Sequence, residues 1–74
     1  MRLVWCDLPD DSYYEVLDAR GLYGRSAPYY LRFFLGGVLI TEKPYQTEVA
    51  ARTQFERAVE RKTPEGHHAA KTTF

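Results

Sequence analysis

The chain has 74 residues, 45% hydrophobic, 15% aromatic and 27% charged, and its ten Lys and Arg balance ten Asp and Glu to a formal net charge of zero. That length makes one domain near the lower limit for folding without staples, and the composition is too apolar for a disordered chain. Zero net charge disfavours nucleic acid as a partner, because phosphate neutralisation by a basic excess supplies much of that affinity.

The first residues, MRLVWCDLPDD, turn acidic before a signal-peptide core or a membrane span is complete. The single cysteine, Cys6, excludes an internal disulfide and an all-cysteine zinc site and suits a reducing compartment. A cytoplasmic protein without membrane attachment is expected. RLVWC is rich in strand-favouring residues and predicts a first strand ending at Asp7.

The next stretch, PDDSYYEVLDARG, reads two ways. Ser12 and Glu15 make the S-x-x-E pattern of a capping box and Gly21 suits a helix C-cap, which together favour a short helix over 13–20. The alternative is a strand from Tyr13 to Leu17. GLYGRSAP is expected to be an irregular loop.

YYLRFFLGGVLITEKPY is the most ordered stretch. Gly36 and Gly37 both tolerate positive φ, as a two-residue type I′ turn requires, so a 29–35/38–43 hairpin is predicted. In simple register Leu35 faces Val38, Phe34 faces Leu39, Phe33 faces Ile40 and Arg32 faces Thr41. Alternation then puts Leu31, Phe33, Leu35, Val38 and Ile40 on a core face. The other face carries Tyr30, Arg32, Phe34, Leu39, Thr41 and Lys43. Pro28 and Pro44 bracket the hairpin.

Thr47 is a suitable N-cap for a helix over 48–62, with Glu48 at the positive end of its dipole. Ala51, Phe55, Ala58, Val59 and Lys62 make one stripe. Pro64 and Gly66 end the helix. The expected organisation is a single domain over 1–63 and a flexible C-terminal tail over 64–74. The fold class is α+β, a small antiparallel sheet with the helix packed on one face.

No group points to catalysis, a metal or a cofactor. His67 and His68 lie in the expected tail without further ligands at helical or hairpin spacing. Cys6 lacks a partner histidine and sits in the first strand. Asp7, Asp10 and Asp11 fail the spacing of a calcium loop and suit a turn around Pro9. Gly21 and Gly24 are followed by no Lys-Ser or Lys-Thr pair, and neither Ser12 nor Ser26 stands in a nucleophile-elbow pattern.

The six tyrosines are more informative. The doublets 13–14 and 29–30 cannot point both rings the same way, and outward tyrosines mark contact surfaces. A partner-binding face formed by Tyr30, Arg32, Phe34, Leu39 and Lys43 is therefore expected. Arg32→Glu with Phe34→Ser would then weaken a partner and leave melting unchanged.

In size, compactness, balanced charge and layout the chain resembles small phage-encoded proteins that modulate host machinery, of the anti-CRISPR and RNA polymerase inhibitor types. The resemblance is of layout alone and carries no residue roles. It implies a non-catalytic module that binds a larger protein or complex and occludes it in the host cytoplasm. A homodimer or other homo-oligomeric structural subunit is an alternative. The other is a single-stranded nucleic-acid binder that stacks bases on Tyr29, Tyr30 and Phe34 beside Arg32.

Overall fold

The computed structural model describes residues 1–62 and the backbone of 71–72. It is an α+β fold: strands β1 (Arg2–Leu8), β2 (Ser12–Asp18), β3 (Tyr29–Leu35) and β4 (Val38–Tyr45), helix α1 (Glu48–Lys62), and the short β5 (Lys71–Thr72). All neighbouring pairs are antiparallel, in the order β4-β3-β2-β1-β5. The expected tail over 64–74 lies outside the described residues except at β5, which pairs with Val4 and Trp5.

β2 corrects the preferred helix over 13–20. Asp11 takes a φ of 61° and reverses the chain after Asp10, a left-handed conformation that Asp tolerates better than most residues. The Ser12 hydroxyl, expected to cap a helix, donates to the Asp10 carboxylate inside this turn. Glu15 sits opposite Trp5 and Arg32 on the neighbouring strands. Long-range pairing thus outweighs a local capping pattern.

The β3–β4 turn falls on Gly36 and Gly37, with φ of 58° and 82°. Leu35 pairs with Val38 and Phe34 with Leu39 as expected; the ladder then slips, and Phe33 pairs with Thr41, Arg32 with Glu42 and Leu31 with Lys43. Ile40 is the extra residue of a β-bulge. Because side chains alternate, that one residue corrects the face expected for everything after it. Thr41 and Lys43 lie on the helix side, not beside Arg32 and Phe34.

α1 begins where the sequence placed it. The Thr47 hydroxyl accepts the Ala50 N–H at 3.1 Å, and Arg52 donates to Glu48 one turn earlier at 2.7 Å. Its stripe of Ala51, Phe55, Ala58 and Val59 is buried. These residues meet Val4, Cys6, Val16, Tyr29 and Leu31 from the sheet in the main core. Lys62, expected at the end of the stripe, is exposed, with its ammonium 5.4 Å from the centre of the Phe33 ring.

A helix is about 10 Å wide and strands are about 4.8 Å apart, so one helix covers about two strands. α1 packs chiefly on β2 and β3. The inner side of β4 is covered only in part, with Tyr45 packed against the core, and the expected core face is shorter than its sequence suggested. Leu31 is buried and Phe33 half-buried, while Leu35, Val38 and Ile40 are exposed.

The sheet's outer side carries a second, smaller cluster of Ala19, Ala27 and Tyr30, packed with Leu17. The 19–28 connection folds back to form it. The Ala19 N–H donates to the Pro28 carbonyl at 2.8 Å, and the Ala27 N–H donates to the Tyr30 phenol at 3.2 Å.

Candidate functional site

Two of the five expected contact residues, Tyr30 and Phe34, are buried. Tyr30 lies under the 19–28 connection, where bonds from Ser26 and then Ala27 hold its phenol pKa below the ordinary value. Phe34 stacks on Tyr13 across the strand pair, with ring centroids 4.6 Å apart and planes within 13°. Such a pair adds about 0.5–1.5 kcal/mol beyond area burial.

Arg32 is half-buried, and its Nε lies 3.4 Å from Glu15 and 3.7 Å from Glu42. Arg2 reaches Glu15 at 3.7 Å and Arg25 reaches Glu42 at 2.7 Å. The outer side thus carries an alternating ladder, Arg2–Glu15–Arg32–Glu42–Arg25, across four strands and the connection. Its three arginines also lie over rings: Arg2 over Trp5, Arg25 over Tyr30 and Arg32 over Phe34, at 4.0, 5.0 and 5.0 Å. Its charges answer one another, and its rings are engaged by neighbours in the same chain.

Leu39 is exposed, and it belongs to the hairpin tip. There Leu35, Val38, Leu39 and Ile40 are 45, 61, 41 and 51% exposed. The turn that carries them is tied at its base, where the Gly36 N–H donates to the Asp11 carbonyl at 2.9 Å.

Lys43 belongs to a different feature. Between β4 and the end of α1 lies a groove of roughly 320 Å³. Tyr14, Leu31, Phe33 and Ile40 line its floor, and Lys43 and Arg61 stand among its walls. Neither cation is in an ion pair among the described residues. Sequence reasoning missed the groove because the bulge at Ile40 creates it. The visible signal was the basic end of α1, Arg57, Arg61 and Lys62.

The most perturbed acid lies elsewhere. Asp18, at the end of β2, accepts from the Arg20 guanidinium at 3.0 and 2.8 Å and from the Arg20 backbone N–H. Those bonds hold its carboxyl near a pKa of about 2, below the ordinary 3.8. The arrangement closes the start of the 19–28 connection, and neither residue lines the groove beside β4. Among the described residues no group of three or more His, Cys, Asp or Glu is placed to hold a metal ion. None of their helices is long and apolar enough to cross a membrane. His67 and His68 lie outside the described residues.

No protein-family model matches the chain, and neither a curated protein nor a solved structure matches it significantly.

Proposed function

We propose that the chain is a non-catalytic protein-binding module, a small inhibitor or modulator that acts by sterically occluding a larger protein complex. The observation that carries this reading is the tip of the β3–β4 hairpin, where four aliphatic side chains stand exposed together. A clustered apolar surface on a small domain marks a contact site. β4 is an edge strand, but its bulge at Ile40 and its Pro44 obstruct pairing with another strand. The tip therefore works through side chains rather than by adding a strand.

Of the residues expected at the contact, Leu39 belongs to the tip and Lys43 borders the groove beside it. Tyr30, Arg32 and Phe34 hold the strand behind them. A phage origin, an anti-CRISPR or polymerase-inhibitor role and a cytoplasmic setting form part of the same proposal and rest on layout alone. The single-stranded nucleic-acid alternative has less support, because Tyr29, Tyr30 and Phe34 are buried.

A photoreactive residue at Val38 or Leu39 tests the reading in cells that express the chain, with Glu60 on the helix as control. The expected product is an adduct with a larger protein, formed from the hairpin positions and not from Glu60. Adducts only at twice the chain's own mass would make it a homo-oligomer. Equal yields from Glu60, or none from the hairpin, would overturn the contact surface.

A further inference from the structure

We propose that the groove between the end of α1 and the partly covered inner side of β4 is a docking slot for an acidic peptide segment with one bulky apolar side chain. This rests on the protein-binding reading above and supplies the chemistry of the partner. The slot follows from two features already described. α1 packs chiefly on β2 and β3 and meets β4 over only part of its length, and the bulge at Ile40 turns Lys43 toward the helix.

The floor is made of hydrocarbon and rings, from Tyr14, Leu31, Phe33 and Ile40. At roughly 320 Å³ the groove sits at the lower end of small-ligand sites, which run from about 300 to 1,000 Å³. That suits a single aromatic or branched side chain with its flanking backbone. The exposed apolar residues Val38 and Ile40 continue the same surface to the hairpin tip.

Charge selects the occupant. The groove wall holds Lys43 and Arg61 and no acid, and neither is in an ion pair among the described residues. Lys62, next along, acts on the Asp10 carboxylate of the β1–β2 turn. Three of the four acids in β1–β4 are committed elsewhere: Glu15 and Glu42 pair with arginines on the outer side, and Asp18 pairs with Arg20. A net charge of zero therefore conceals a positive strip beside an apolar slot. Two cations beside an apolar floor suit carboxylates that flank an anchor. They are too few for the extended phosphate contacts that drive nucleic-acid binding.

The test is fluorescence anisotropy of the whole chain with three labelled probes: a peptide with a single Phe flanked by glutamates, its lysine-flanked counterpart, and an oligothymidylate. The glutamate peptide should bind saturably, and more weakly as salt rises, because rim charges are screened. Lys43→Glu with Arg61→Glu should lose about tenfold or more in affinity and prefer the lysine peptide. Arg57→Glu, a charge change on α1 outside the groove lining, should keep the parent preference. Amide shifts on binding should centre on Phe33, Ile40 and Arg61.

If the double reversal fails to fold, Lys43→Gln with Arg61→Gln takes its place and should lose the preference for glutamate. Overturning results are equal binding of both peptides, an unchanged preference in the variants, no binding to the folded parent, or tighter binding of the oligothymidylate. The two proposals fail separately. Hairpin adducts with a larger protein, combined with no peptide binding, remove the slot and leave the module. Peptide binding without hairpin adducts keeps the slot and removes the tip as the contact.

Discussion

Phe55 is fully buried and is the one large ring that α1 sends into the sheet. Truncating a core Phe to Ala costs about 3–5 kcal/mol, the lost transfer energy plus a cavity. Phe55→Ala should therefore lower stability by about that amount in urea unfolding, while Arg57→Ala, at an exposed position, stays within about 0.5 kcal/mol. Comparable losses would mean that the packed stripe is wrongly assigned. Asp18 gives a pH signature at the same scale. Its folded pKa, about 2, is depressed below the ordinary 3.8 by Arg20. The stability it contributes is thus fully present above about 3.8 and is lost as pH falls toward about 2. Asp18→Asn should flatten that part of the acid-unfolding curve; an identical acid limb in parent and variant would remove Asp18 from the account.

Elements differ in how much of their cause is local. The turn at Gly36–Gly37 was legible because two adjacent residues free to take positive φ, between aromatic and aliphatic runs, have few other uses. Apart from the adjoining residues, no atom of the described residues lies within 4 Å of a Cβ at either glycine, so substitution there meets backbone strain and no collision. Left-handed backbone costs about 1–2 kcal/mol per ordinary residue. Val at both positions should therefore destabilise by about 2–4 kcal/mol or more, and Gly36→Asn much less, since Asn suits that turn. Equal melting of the Val pair and the parent would refute the turn. α1 was legible for the same local reasons, an N-cap at Thr47 and an unbroken stripe. β2 was not, because Ser12 and Glu15 spell a capping box locally, and the arginines and rings that hold Glu15 in a strand come from β1 and β3. The slip at Ile40 was equally hidden: nothing around Ile40 marks an extra residue, and its effect shows only as the side of the sheet that Lys43 occupies.

At the scale of the whole molecule the sheet has two covered sides built by different means. Inside, one helix supplies the cover. Outside, the strands' own rings and charges and the 19–28 connection supply it. The tyrosine doublets show the division. Tyr14 meets Phe33 on the helix side, with centroids 4.7 Å apart, and Tyr13 stacks on Phe34 outside. Tyr29 enters the main core while Tyr30 goes under the connection. Outward rings were expected to be free for a partner. A connection that returns over its own sheet has no local signature, and this is why Tyr30 was read as accessible; Phe34 was read so because Tyr13, which stacks on it, was expected in a helix.

That burial reverses the expectation for Arg32→Glu with Phe34→Ser. Removing a buried, stacked ring costs about 3–5 kcal/mol, with a hydroxyl left in its place. A carboxylate at position 32 would stand between Glu15 and Glu42, where like charges oppose one another in a half-buried setting. A domain of this length holds only about 4–11 kcal/mol of net stability, at about 0.05–0.15 kcal/mol per residue. The two losses together are of that size, so the double variant should be largely unfolded at room temperature by near-ultraviolet circular dichroism. Leu39→Ser, at the exposed tip, should melt within a few degrees of the parent, because its side chain is already 41% exposed. A double variant that melts like the parent would mean that the outer side is no structural layer. It would return Arg32 and Phe34 to the candidate contact surface beside Leu39.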